Sequence, residues 1–90
     1  MLKSLALLGL AAVASARHSI HDFGAIHDDN SYSAALTNAH AFKSAILRAN
    51  SSEHDREVHI PYGTRYTMMP VITEDIHNVT FVIEGTVFCA

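Results

Sequence analysis

Cysteine is almost absent from this sequence of 90 residues, and Cys89 is the only one. An internal disulfide is therefore excluded, although small exported domains usually depend on such cross-links because their cores are small. The seven histidines are spread along the chain without an H-x-x-x-H pair, so they lack the ligand pattern of a zinc site. The sequence predicts no metal site and no cofactor.

An apolar run long enough to span a membrane is also missing. Residues 5–13 (LALLGLAAV) form an apolar run of nine, whereas a transmembrane helix needs roughly 20 residues. Lys3 precedes this run, and Ala14-Ser15-Ala16 follows it as an A-x-A cleavage signal, an order typical of a secretory signal peptide. We therefore expect a signal peptide at residues 1–16, a secreted protein, and no membrane association after cleavage.

Basic residues are scarce in the rest of the chain. Residues 17–90 carry five lysines and arginines against nine carboxylates. This sign of charge argues against nucleic acid or an anionic membrane as a partner.

Two alternating apolar runs predict strands in the C-terminal part of the chain. Val58 and Phe81 are separated by 23 residues, and so are Ile60 and Ile83. A fixed step of this size is what stacked coils of a solenoid produce. The two runs comprise Val58 and Ile60, then Val79, Phe81 and Ile83, with turns at Gly63 and Gly85.

The apolar period changes to that of a helix from about Ser33 onward. Apolar residues recur there at steps of three and four, with Ser31 or Ser33 as the cap and the end near residues 48–50. Further strands are expected at residues 19–23, 64–69 and 86–88, and a loop or irregular helix at residues 71–78. The helix stripe consists of Ala35, Ala39, Phe42, Ile46 and Ala49.

Four segments occur in an order that resembles a known family. They are D-F-G-A at residues 22–25, A-F-K-S-A-I at 41–46, V-H-I-P-Y-G at 58–63 and N-V-T-F-V-I-E-G-T at 78–86. The chain resembles the N-terminal part of pectin lyase-fold proteins, most closely the polygalacturonase-type glycoside hydrolases. The resemblance implies a mainly β fold over residues 17–90, with an N-terminal cap helix and the first coils of a right-handed parallel β-helix, an incomplete solenoid.

The same resemblance implies a secreted hydrolase that acts on a polyuronide of the pectin type. In that family the catalytic aspartates are carried by motifs of the N-T-D, D-D and G-H-G type, which lie in central coils. Inverting hydrolysis needs one carboxylic acid to protonate the leaving oxygen and one carboxylate to activate water. The sequence has neither N-T-D nor G-H-G, and Asp28-Asp29 belongs to the turn before the helix. We therefore assign no catalytic residue and expect the 90-residue chain to be inactive.

Two features keep the assignment open. The polar turn at residues 27–30 (HDDN) departs from the family's usual G-D-G, so pectate-type lyases and phage or surface β-helix proteins remain alternatives. A non-catalytic secreted β-helix protein with a structural or carbohydrate-binding role is the second hypothesis. Because a coil cannot bury its stacking face without the next one, and because Cys89 has no partner within the chain, we expect the sequence to be part of a longer protein.

The remaining candidate residues are weaker. Two N-x-S/T triplets make Asn50 and Asn78 candidates for N-glycosylation. Ser52, His54 and Asp55 are triad residue types, but adjacency on one loop does not give triad geometry. Aromatic stacking on sugars is a further option, with half-buried packing as the commoner alternative, for Tyr32, Tyr62 and Tyr66.

Overall fold

Residues 17–90 are described by the computed structural model, so the signal peptide expected at residues 1–16 lies outside the described residues. A single long helix is combined with five short strands. The elements are β1 (Arg17–Ser19), a 3₁₀ helix (Ile20–Phe23), α1 (Tyr32–Ser51), β2 (Glu57–Ile60), β3 (Arg65–Met68), β4 (Thr80–Ile83) and β5 (Thr86–Cys89).

The fold class is mixed rather than mainly β. Helix α1 has 20 residues, whereas each strand has only three or four. The strands form two small parallel sheets, one with the order β1-β2-β4 and one with the order β3-β5. Within residues 17–90 these sheets do not close into a solenoid. No helix in this part of the chain is long and apolar enough to cross a membrane.

The register of the first sheet confirms the 23-residue step. Val58 lies opposite Phe81 and Ile60 lies opposite Ile83 in the parallel pair of β2 and β4. In the second sheet, Tyr66 of β3 lies opposite Val87 of β5. The chain therefore visits the two sheets twice in the same order, first with β2 and β3 and then with β4 and β5.

Helix α1 begins and packs largely as its sequence predicts. Of the two candidate caps, Ser31 is the one used, since its hydroxyl accepts a hydrogen bond of 3.1 Å from the Ala34 N–H. The helix ends at Ser51. The predicted stripe is only partly correct, because Ala39 and Phe42 lie at its half-buried margin. The buried helix residues are Ala34, Ala35, Asn38, Ala41, Ala45, Ile46 and Ala49.

The strand expected at residues 19–23 is wrong. A strand occupies Arg17–Ser19, and the chain then turns into the 3₁₀ helix, whose first residue, Ile20, is fully buried. The Ser19 hydroxyl accepts from the His21 N–H and caps this helix, while Gly24, at φ 96°, reverses the chain behind it. Local hydrogen bonds of this kind override the alternating pattern.

The core lies between α1 and the sheets. Its largest fully buried side chains are Tyr66, Ile20, Ile60, Val58 and Asn38. The alanines of α1 allow the helix backbone to approach β3 closely. Residues 71–79 have no regular secondary structure, in agreement with the loop that the sequence predicts there.

Candidate functional site

The outer edge of β3 is closed by the helix and the turn that precedes it. On this side of β3, backbone groups of three alternate residues form hydrogen bonds with the helix and the turn instead of with another strand. On the other side, the carbonyls of residues 64 and 68 accept hydrogen bonds from the β5 segment. The helix and turn thus supply the partners that a neighbouring strand would offer. The three pairs are Asp28 N–H to Arg65 O at 2.8 Å, Asn38 Nδ2 to Thr67 O at 2.8 Å and Met69 N–H to Ala35 O at 3.2 Å.

Asn38 is the polar residue on which this closure depends. Its side chain is fully buried, and its Oδ1 accepts from the Ile26 N–H at 2.6 Å. Its Nδ2 donates to Ile26 O at 3.0 Å and to Thr67 O at 2.8 Å. Sequence reasoning missed Asn38, although a polar residue in the middle of an apolar helix stripe is a signal for a buried polar contact.

The opposite edge, formed by β4 and β5, is open. Within residues 17–90 no strand pairs with the outer side of either β4 or β5. Four large apolar side chains on these two strands are exposed, and the exposed thiol of Cys89 lies at the end of β5. We call this surface the open edge. Its apolar residues are Phe81, Ile83, Val87 and Phe88.

A cleft of about 480 Å³ lies between the polar turn and the second sheet. The Arg65 guanidinium lies over the Phe88 ring at 5.2 Å from its centroid, and Asp28 bonds to His27 at 2.9 Å. The Asp29 carboxylate accepts from the Ser31 N–H, which lowers the pKa of Asp29 below its ordinary value. Both carboxylates are thus engaged in forming the turn. The cleft is lined by Asp28, Asp29, Asn30, Arg65, Thr67 and Phe88.

The triad residue types of the loop after α1 do not form a triad: within residues 17–90 no hydrogen bond joins the side chains of Ser52, His54 and Asp55, and His54 is exposed. The Ser52 hydroxyl donates to Arg48 O at 2.7 Å. His18 Nε2 lies 2.7 Å from Asp55 O, and since a carbonyl only accepts, this nitrogen carries the proton. His18 therefore cannot take a proton from Ser52 through that nitrogen, which lies 3.4 Å from the hydroxyl.

Charged side chains cross the outward face of the first sheet. Arg17 and Glu57 form an ion pair at 2.9 Å, and His59 contacts Glu84 at 2.6 Å. Arg17 also lies 3.8 Å from Glu84, so the group links β1 and β2 to the residue that follows β4. Among residues 17–90, no group of three or more histidine, cysteine, aspartate or glutamate side chains could hold a metal ion.

The three tyrosines have different environments. Tyr32 and Tyr62 are exposed, whereas Tyr66 is fully buried and cannot stack on a ligand from solvent. Burial raises the pKa of the Tyr66 phenol. Its hydroxyl has no hydrogen-bond partner in the described part of the chain.

One sequon lies at the C-terminal end of α1, and the other begins within the loop at residues 71–79. Asn50 is half-buried near the end of α1, and Asn78 is exposed just before β4. Their side chains therefore have different access to solvent.

Comparison with known proteins leaves the family open: no protein-family model matches the chain, and no curated protein or solved structure matches it significantly. The class that the described residues define is a helix-capped pair of small parallel sheets with one closed edge and one open edge.

Proposed function

We propose that residues 17–90 form the cap and first coils of a right-handed parallel β-helix in a secreted, polygalacturonase-like glycoside hydrolase acting on pectin-type polysaccharide. The observation that carries this proposal is the repeated order of strands. β4 pairs in parallel with β2, and β5 pairs in parallel with β3. Parallel steps that return a chain to two sheets in the same order are what the stacked coils of a solenoid produce, and right-handed connections are the rule for parallel strands.

The turns between the two sheets support the same path. Gly85 joins β4 to β5 and lies directly against the turn that joins β2 to β3. A Cβ atom on Gly85 would lie 2.5 Å from Pro61 O and 2.7 Å from Thr64 O. The two turns therefore lie in direct contact, as the corners of stacked coils would.

The difference between the two edges fits an N-terminal cap. Helix α1 and the polar turn satisfy the backbone groups of β3 on one side, whereas the open edge presents unpaired backbone and exposed apolar side chains. Repeat proteins need such a cap because an uncovered coil exposes an apolar cross-section. The open edge is accordingly the surface on which the next coil of a β-helix would stack.

The catalytic part of the proposal rests on the resemblance, and we place no catalytic residue in residues 17–90. We expect the isolated chain to release no reducing sugar from polygalacturonate. Release above the level of a heat-inactivated sample, retained after repurification, would contradict this expectation.

A non-catalytic β-helix protein with a structural or carbohydrate-binding role is the alternative. In this alternative the cap and first coils would be the same, and the later coils would lack the acid pair. Fold alone does not decide between the two.

Reading the transcript past the codon for Ala90 distinguishes these proposals. Further coils that carry N-T-D, D-D and G-H-G motifs would support the hydrolase, and several coils without them would support the alternative. A stop codon directly after Ala90 would contradict the β-helix proposal itself.

A further inference from the structure

The two N-x-S/T triplets of this chain lie in opposite environments. We propose that Asn78 is the N-glycosylation site of the folded protein and that Asn50 remains unmodified because its carboxamide fastens a loop to the helix. This inference rests on the proposed export of the chain, since N-glycosylation belongs to the secretory route.

The carboxamide of Asn50 is engaged through both of its polar atoms. Nδ2 donates to Asp75 O at 3.1 Å, and Oδ1 accepts from the His77 N–H at 2.9 Å. These bonds join the last turn of α1 to the loop before β4. A glycan would be attached to Nδ2 itself, so it would have to lie where the backbone of Asp75 now packs.

Arg56 reinforces the attachment of the same loop. Its guanidinium donates to four backbone carbonyls, two at the end of α1 and two in the loop before β4. We call Asn50 and Arg56 together the loop clamp. The four carbonyls that accept from Arg56 belong to Asn50 (3.0 Å), Ser52, His77 and Asn78 (3.1 Å).

Asn78 offers the opposite combination of a fixed backbone and an exposed side chain. Its carbonyl is held by Arg56, and its φ of 55° lies in the left-handed region that asparagine adopts more readily than most residues. Asn78 and the sequon hydroxyl residue Thr80 are both exposed. A bulky glycan can therefore project from Asn78 into solvent without breaking a contact of the clamp.

The modification needs an oligosaccharide linked to a polyprenyl diphosphate as its donor. Nδ2 of Asn78 attacks the anomeric carbon of the donor sugar, and a new C–N bond forms. The bond from that carbon to the diphosphate oxygen breaks, and the lipid diphosphate leaves with the electron pair. Nδ2 gives up one proton, so the product is a secondary amide.

The test is expression of the full chain in a eukaryotic secretory host, with site mapping of the folded protein. Peptide-N-glycosidase converts a modified asparagine to aspartate, which mass spectrometry locates. The matched variants S52A and T80A each remove one sequon and leave both asparagines in place. We expect one glycan on the wild type and on S52A, aspartate at position 78 after its release, and no glycan on T80A.

The proposal would be overturned if glycan release produced aspartate at position 50 of the folded wild-type protein. It would also be overturned if Asn78 were unmodified in the protein from the secretory host. Either result would leave the β-helix proposal standing, because glycan occupancy does not depend on further coils. Conversely, a transcript without further coils would leave the glycan result unchanged. The two proposals can therefore fail separately.

Discussion

Asn38 shows how a single polar side chain joins three segments of this fold. Its carboxamide satisfies both backbone groups of Ile26 and the carbonyl of Thr67. All three contacts lie at a fully buried residue, where an unsatisfied polar group is costly because water cannot replace the lost partner.

We expect N38A to lower the free energy of unfolding by about 3 kcal/mol, because it leaves the backbone groups of Ile26 and Thr67 without their partner. Urea unfolding followed by circular dichroism measures the change. The neighbouring variant T37A is the control and should change stability by less than about 0.5 kcal/mol. Equal effects of the two substitutions would show that the Asn38 contacts contribute nothing specific.

Tyr66 gives a second prediction, in which removing a buried polar group costs little or no stability. The buried hydroxyl of Tyr66 has no partner within the described residues. Its removal in Y66F should therefore either raise the free energy of unfolding at neutral pH or lower it by less than about 1 kcal/mol. A loss of several kcal/mol in urea titrations would contradict this expectation.

The pH dependence of Y66F follows from the raised pKa of Tyr66. Above about pH 10, the unfolded chain loses the phenol proton while the folded chain retains it, so the wild type loses stability as the pH rises. Y66F should lose less stability between pH 9 and pH 11 (roughly the window around the ordinary tyrosine pKa). Y62F, at an exposed tyrosine, should behave like the wild type over this range.

At the level of elements, the contact between two turns decides how closely the β4–β5 segment approaches the β2–β3 segment. Gly85 has no room for a side chain, since a Cβ atom there would lie 2.6 Å from the Thr64 hydroxyl and closer still to Pro61 O. Gly63, in the turn below, has open space around it and is needed for its φ of 79°. The two turn glycines thus have different physical roles.

We expect G85A to destabilise the protein by about 1–3 kcal/mol, because the turn between β4 and β5 must move away from the turn between β2 and β3. Amide hydrogen exchange should show the loss first in β5, whose pairing with β3 begins at this turn. G63N is the control, since asparagine tolerates a left-handed backbone, and it should be nearly neutral. Unchanged exchange in β5 of G85A would contradict the contact between the two turns.

At the level of the whole molecule, the covered and uncovered edges make the chain asymmetric. The closed edge satisfies its backbone through α1 and the polar turn, whereas the open edge combines unpaired strands with apolar side chains. Such an edge is a template for pairing with another chain. In the proposed β-helix the next coil would cover it.

We expect residues 17–90 to self-associate through the open edge, and I83K to weaken this association. Losing an apolar contact of this size costs about 2 kcal/mol, so oligomers should appear only at concentrations at least about tenfold higher. Sedimentation velocity across a concentration series measures this. L47K, at a similarly exposed residue on α1, should associate like the wild type, and monomeric wild-type protein at all concentrations would contradict the prediction.

Much of the local structure could be predicted from the sequence because it depends on short-range patterns. The alternation around Val58 and Phe81 correctly predicted the strands, and their spacing correctly predicted the parallel register. Ser31 and Gly63 acted as a cap and a turn residue through their own side-chain and backbone chemistry. The strand at residues 19–23 was mispredicted, because the Ser19 hydroxyl and Gly24 favour a 3₁₀ helix there.

By itself, the sequence determined where the helix and the later strands lie and that two strand pairs repeat at a constant interval. Only the tertiary structure decided that α1 closes the edge of β3, that Asn38 is buried, and that Asn50 is bonded while Asn78 is exposed. Periodicity is a local property of the chain, and the neighbours of a residue determine its secondary structure to a large extent. Edge closure and carboxamide pairing depend on groups distant in sequence, such as Asn38 with Thr67 and Asn50 with His77, which meet only when the chain folds.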